Sequence, residues 1–540
     1  MLRSLSPVWT RRAFHRALLA GLGAGVVPGV AGCGDTLAEP ERGPLRALVI
    51  GSGFGGSIAA LRLGQAGVRT TVLERGKAWP VDPAGGTFAL SLGPDNRSTW
   101  LRDRSIAPIG PAFPIDSPRL GVLAREDFDT MKVYTGAGVG GGSLVYGCMT
   151  VKPTEALYRR LLGDQVPWEE MVSTWFPLTK QMLAASPVPD DILAADFYTM
   201  SRRFREVCAG AGVPTELIDL ATDWSVVRQE MAGEVEAAAI VGELLYGANS
   251  GYKNSLDRNY LPQAVATGQV DIRPQHEVRS IHRHAHGWAV DVQELREDGS
   301  GHNPHTLEAD LVVVAAGSLH TTRLLLEMQQ RGDVTGMEDR LGTQWGANGN
   351  TMFMRSGLDA DTGRMQANPP IVAAFDLDNS HTPIVVENAP FPVGFECNCL
   401  MQLAVSEDPQ RGRLELGSGA AGLQLDWPET SHALTVDAVL DFVERMNRQD
   451  GGQLGNNWLP EPTRDFTYHP LGGAAMGVVC DSAGRVGGEP GLYVVDGALV
   501  PGNSACSNPS WLIAALAERA MATIVAQDLR RLSARATWDV

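Results

Sequence analysis

Three side chains in this 540-residue sequence have the type and setting for proton chemistry. His469 stands between Tyr468 and Pro470, just before the pair Gly472-Gly473. Its backbone is restrained, and an imidazole titrates near neutral pH, so it can orient an alcohol O–H or take its proton. Asn508 precedes Pro509, which biases it away from helix and puts it at the mouth of the last helical segment. An amide there either points at a bound oxygen or serves as an ordinary N-cap. Glu396 sits in Pro392-Val-Gly-Phe-Glu396-Cys-Asn-Cys-Leu-Met, an otherwise uncharged stretch. A carboxylate desolvated in such a stretch has a raised pKa; a half-exposed strand residue is the plainer alternative.

A second constellation would bind rather than react. The apolar run Ala47–Ile50 leads into Gly51-x-Gly53-x-x-Gly56, then a helical pattern, then a β-branched strand ending in Glu74. Gly51 permits the tight turn, Gly53 lets a pyrophosphate approach the backbone, and Gly56 lets the helix lie against the strand. The helix N-terminus offers free N–H groups to phosphate. Glu74, 23 residues after Gly51, can accept the ribose hydroxyls of an adenosine. Strand, glycines, helix, strand and acid in register predict a dinucleotide site. A second glycine run, Gly136 to Ser143, precedes Leu144-Val145-Tyr146 and is read as backbone passing close to that cofactor.

The elements that must position these residues recur along the chain. Leu311–Val314 is another buried strand running into a glycine turn at Gly317, and Leu492–Val495 a third, ending in Asp496-Gly497. Between them lie segments of other character. Residues 80–120 are irregular, 155–250 mostly helical, 383–405 strand-like and 434–448 helical, and a long helix closes the chain from about Ser510 to Leu532. The expected fold class is α/β (α+β): a Rossmann-like cofactor domain assembled from discontinuous segments, with an inserted substrate domain of antiparallel sheet and helices. Boundaries are set at 45–83, 121–154, 250–330 and 464–535 for the first, and 84–120, 155–249 and 331–463 for the second.

Length and composition agree. The chain is too long for one core. A formal charge of −17 argues against a nucleic-acid partner and weakly against adsorption to anionic lipid. No uninterrupted apolar run reaches the roughly 18 residues of a membrane span. Residues 1–33 read as a twin-arginine (Tat) export signal, with Arg11-Arg12 ahead of a weakly apolar stretch, and 34–44 as a linker. The mature protein is then extracellular or periplasmic. Val30-Ala31-Gly32-Cys33 resembles a lipobox, which would lipidate Cys33; ordinary cleavage nearby is the alternative. The other cysteines are expected to be mostly buried free thiols, Cys397 and Cys399 being too close for an easy bridge if they lie in a strand. His282, His284 and His286 alternate as on a solvated strand face, and no metal site is assigned.

The motifs together resemble the GMC (glucose–methanol–choline) flavin oxidoreductases, and within them the bacterial cholesterol oxidases with noncovalent FAD. The carriers are Gly51–Glu74, Gly138–Val145, Ser255–Val278, Val314–Leu319, Tyr468–Gly473 and Val495 through Asn508-Pro509 to Arg519. The resemblance implies FAD, held without a covalent bond because no histidine follows the glycine run up to Lys152. It implies cofactor contacts from Gly51, Gly53, Phe54, Gly56, Glu74, Gly138, Gly142, Ser143, Tyr146, Gly147, Met149, Val278, Gly317, His469, Asp496, Gly497 and Asn508. It further implies a hydrophobic alcohol substrate, a 3β-hydroxysteroid first, with dioxygen as acceptor and peripheral membrane contact as a possible accompaniment. His469 and Asn508 would hold the hydroxyl, and Glu396 would move a proton between ring carbons. Two departures stand out: Tyr146 replaces the family's asparagine beside the flavin, and Ala474 its cysteine. A GMC enzyme for another hydrophobic alcohol, using an acceptor other than oxygen, is the alternative.

Overall fold

The structure is a computed structural model that describes residues 44–535 except 83, 84, 109, 392, 429 and 431. The export signal and Cys33 lie outside the described residues.

Five short strands form a wholly parallel sheet in the order Leu492–Val494, Leu311–Val314, Arg46–Ile50, Arg69–Leu73, Val270–Arg273. Helices and loops cover both faces, which is why the strands are continuous apolar runs; Leu311–Val314 are wholly buried. The register aligns the carboxyl ends: Ile50 lies opposite both Leu73 and Val314, and Val314 opposite Val494. Ligands of open α/β sheets bind beyond those ends. The helix Phe54–Gln65 packs against the closing helix Pro509–Thr523, which continues through Ile524–Asp528 into Leu529–Arg535. A bidentate Arg62–Glu518 pair, joined by the Tyr260 hydroxyl at 2.8 Å, ties the two helices together.

Six strands make a separate antiparallel sheet: Gln453–Leu454, Thr351–Ser356, Leu400–Ser406, Ile384–Ala389, Val372–Asp376 and Thr215–Leu217. All six come from segments assigned by sequence to the inserted part. The helix Ala433–Asp450 lies on this sheet, burying Phe442, Val443 and Met446.

The strand-like stretch over 383–405 is two strands, Ile384–Ala389 and Leu400–Ser406, joined by a loop. That loop corrects the reading of the cysteines. Asn398 takes a left-handed backbone (φ 47°), the chain folds back, and Cys397 and Cys399 form a disulfide. Cys148, Cys208, Cys480 and Cys506 are buried thiols. No helix among the described residues is long and apolar enough to cross a membrane.

Candidate active site

Four strand ends of the parallel sheet deliver the binding residues. After Arg46–Ile50 the chain turns at Gly51 (φ 92°), whose N–H donates to the Leu73 carbonyl at 2.8 Å. A Cβ on Gly51 would lie 2.3 Å from the Ala315 carbonyl oxygen, and one on Gly56 2.0 Å from that of Gly51, so neither admits a side chain. The next strand ends at Glu74, 6% exposed, which accepts from the Ser52 N–H (3.1 Å), the Ser52 hydroxyl (2.8 Å) and the Gly76 N–H (2.9 Å). Burial raises its pKa against those hydrogen bonds. The other two strands end at Ala315–Gly317 and Asp496. The Asp496 carboxylate accepts from the Gly317 N–H and the Thr321 hydroxyl, both 2.7 Å, and from the Ala498 N–H, locking the two turns together.

These ends open into a cavity of about 520 Å³. Gly53, Gly142 and Gly317 border it, and a Cβ added to any of them would meet nothing within 4 Å. The glycines there keep space that no protein atom fills. The helix Phe54–Gln65 has no side-chain cap at Gly53, so its first N–H groups are left for a ligand. Open glycine backbone, uncapped helix and buried ribose-type acid fit a dinucleotide such as FAD.

The far end of the cavity is built by the antiparallel sheet. Directly opposed residues share a face, and Glu387 lies opposite Leu403, which lies opposite Met352; Ala389 lies opposite Met401. All five line the cavity. This face is apolar with one acid in it. Burial pushes the Glu387 carboxyl up to about 8, although the Asn508 amide, 3.3 Å from Oε2, works against it. Glu387 Oε1 and Asn508 Oδ1 are buried without a hydrogen-bond partner, an arrangement that points to a ligand.

Asn508 occupies the N-cap position of Pro509–Thr523, yet its side chain makes no capping bond; the amide faces Glu387. His469 follows the short strand Phe466–Thr467, its N–H donating to the Thr467 hydroxyl at 2.8 Å. Its ring state is set by Asn350. Asn350 Oδ1 accepts the Tyr468 N–H at 3.0 Å, so its amide nitrogen must donate to His469 Nδ1, 2.9 Å away. The neutral ring therefore carries its proton on Nε2. Burial lowers the imidazole to about 4, which keeps that neutral form at ordinary pH.

Most of the expected residues meet here. Gly51, Gly53, Phe54, Glu74, Gly142, Tyr146, Gly147, Met149, Val278, Gly317, His469, Asp496, Gly497 and Asn508 line the one cavity. Tyr146 is held by its hydroxyl on the Asn254 carbonyl (3.3 Å) and by edge contact with Phe54. Three residues do not line it. Gly56 serves helix–strand contact, Gly138 lets the chain pass the Trp79 ring (2.6 Å from a built Cβ), and the Ser143 hydroxyl is taken up by Gly140 and Leu256.

Glu396 is a correction. It lies in the loop between the two strands and does not line the cavity. Its carboxylate accepts from the N–H groups of Thr362, Gly363 and Asn398 and from the Thr362 hydroxyl. Partial burial opposes ionisation, but these donors outweigh it and hold the pKa below the usual range. The desolvated acid is Glu387, nine residues earlier; a lone acid in Ile-Val-Val-Glu387-Asn-Ala was the available signal. Asn350 left no signal, because only folding brings it to His469.

A family model described as "GMC oxidoreductase" matches residues 45–328, and two models of the GMC C-terminal region match 348–458 and 411–517. The cholesterol oxidase of Mycobacterium tuberculosis is 26% identical, covering 88% of this chain and 90% of its own length. The cholesterol oxidase of Acinetobacter baumannii is 23% identical over 89% and 94%. A 2-methyl-1,2-propanediol dehydrogenase of Mycolicibacterium austroafricanum is 25% identical over 55% and 53%. Among solved structures, a fungal aryl-alcohol oxidase superposes with a TM-score of 0.63 at 14% identity, covering 90% of this chain and 99% of that one.

Proposed function

Since this chain belongs to the GMC oxidoreductase family, whose members bind FAD, we propose that it oxidises a 3β-hydroxysteroid to the ketone with noncovalent FAD. Dioxygen is the acceptor, so alcohol and O2 give ketone and H2O2. The observation that carries the reading is a single unsatisfied carboxyl, Glu387, on the apolar face of a cavity that also holds His469 and Asn508. Leu92, Phe113, Phe391 and Trp458 extend that apolar lining, as a sterol body requires. Similarity to cholesterol oxidases over most of both chains supports the substrate class.

FAD, when bound along Gly51–Phe54, Glu74, Gly142 and Gly317, would supply the acceptor for the hydride of the carbinol carbon. The chain's residues handle the oxygen and the protons. His469 Nε2–H donates to the alcohol oxygen and orients it; with Nδ1 held by Asn350 the ring is no base. The Asn508 amide donates to the same oxygen. Glu387, raised to about 8, is the acceptor for the hydroxyl proton. Once that proton has left, the same carboxylate takes a ring proton from the unconjugated 5-en-3-one and returns it to give the conjugated 4-en-3-one.

The test is anaerobic mixing of the yellow protein with cholesterol. The flavin band should bleach, recover in air with one peroxide per ketone, and be freed from the polypeptide by acid. Failure of every 3β-hydroxysteroid to bleach it removes the steroid assignment and leaves another hydrophobic alcohol with an acceptor other than O2. Export is proposed by the twin-arginine route. Changing Arg11 and Arg12 both to Lys should trap active precursor in the cytoplasm, and unchanged export refutes the route.

A further inference from the structure

The sheet of His276–His284, Gly287–Leu295 and Gly301–Ala309 gathers side chains that the alcohol chemistry does not use. Glu294, on the middle strand, stands in register with His276 on one side and His302 on the other. Opposed residues share a face, so both imidazoles reach the one carboxylate. His276 Nε2 is 3.8 Å from Glu294 Oε1, and His302 Nε2 is 3.4 Å from Oε2. His305 meets His276 edge-on, and one ligand atom each from His276, Glu294 and His305 all lie within 4.8 Å of one another.

The hydrogen bonds say which nitrogens are free. His276 Nδ1 lies 2.8 Å from the Pro274 carbonyl, and His305 Nδ1 2.9 Å from the Asn303 carbonyl. A carbonyl only accepts, so both Nδ1 atoms carry the proton, and in the neutral rings both Nε2 atoms hold a lone pair. Nδ1–H on a backbone carbonyl is the support that metal-binding histidines characteristically have. Asn303 Nδ2, 2.5 Å from Oε1, orients the carboxylate in turn.

We propose that His276, His305 and Glu294 bind one divalent ion of the zinc class, with His302 steadying the second carboxylate oxygen. Two imidazoles and a carboxylate form a ligand set suited to zinc, whereas magnesium and calcium demand oxygen ligands. Bonds of about 2.0–2.1 Å place tetrahedral ligand atoms about 3.3 Å apart. Closing the site requires the ligand atoms, now within 4.8 Å of one another, to draw in to about that distance. The ion would brace the cofactor pocket, since His276 lines the cavity with Glu277 and Val278, and its N–H donates to the Glu74 carbonyl at 2.9 Å.

The test uses tag-free holoenzyme, stripped with EDTA and titrated with Zn2+ against a chromophoric chelator. One zinc per chain is expected. Loss of an outer partner alone weakens metal sites about tenfold or more, so His305→Gln and Glu294→Gln should each weaken binding by at least about tenfold. His284→Gln should leave it unchanged, since His284 pairs instead with Glu308. Each variant is checked for its flavin spectrum, and anomalous scattering from wild-type crystals soaked in Zn2+ decides the matter if a variant does not fold. A protein that leaves zinc with the chelator, an affinity equal in wild type and both ligand variants, or no anomalous peak among these side chains overturns the site.

Discussion

In the proposed mechanism Glu387 and His469 divide the chemistry because burial acts oppositely on an acid and a base. Desolvation disfavours charge, so it raises Glu387 to about 8 and lowers His469 to about 4. Below about 8 Glu387 is protonated and cannot accept. The kcat/KM of the free enzyme should therefore rise with pH through an apparent pKa near 8, with no limb from His469 near neutrality. Glu387→Gln should keep the flavin and lose that limb, with kcat down about 10²-fold or more; Glu396→Gln should change kcat by less than about twofold, because its carboxylate binds loop backbone. Equal losses in the two variants would return the catalytic acid to doubt. Asn350 acts through the imidazole. Asn350→Ala leaves Nδ1 free and lets the proton move there, so kcat should fall about tenfold with KM little changed, and the ring nitrogen shifts should report the second tautomer. An unaltered tautomer would reduce Asn350 to a packing residue.

At the scale of the strand–turn–helix element, two glycines separate folding from binding. A Cβ at position 56 strikes the Gly51 carbonyl at 2.0 Å, backbone against backbone, whereas one at position 53 meets nothing. Gly56→Ala should force helix from strand and lower stability by about 1–3 kcal/mol, seen as a reduced Tm of the apoprotein. Gly53→Ala should leave the apoprotein Tm within about 1 °C and weaken flavin binding, measured as flavin lost on dialysis. If Gly53→Ala retains flavin as tightly as the parent, the cofactor does not approach there. Element types follow from the sequence because each has a local cause. The parallel strands read as unbroken apolar runs, since both faces are covered, and Asn508-Pro509 marks a helix start since proline suits the first turn. The loop at 390–399 was hidden because its turn depends on Asn398 and its carboxylate on backbone N–H groups from residues 362 and 363.

For the whole molecule, the same buried groups link stability to pH. Glu387 binds its proton more tightly folded (about 8) than at its ordinary 4.5, so its contribution is full below about 4.5 and lost as pH rises through 8. His469 is depressed from 6.5 to about 4, so its contribution is present above 6.5 and lost as pH falls through 4. Apoprotein unfolding in urea at about pH 6 and about pH 9 should show a decline toward alkali that shrinks in Glu387→Gln. A decline of the same size in that variant would place its origin elsewhere. The sequence alone determined the family, the parallel-sheet cofactor domain and the positions of Gly51, Glu74, His469 and Asn508, because those residues are marked by neighbours a few places away. Tertiary structure alone decided that Glu387 rather than Glu396 faces the cavity, that Asn350 sets the imidazole proton, and that His276, Glu294 and His305 converge. Strand register places Glu387 opposite Leu403 and Glu294 opposite His276. Register and desolvation arise between residues far apart in the chain, so no local pattern carries them.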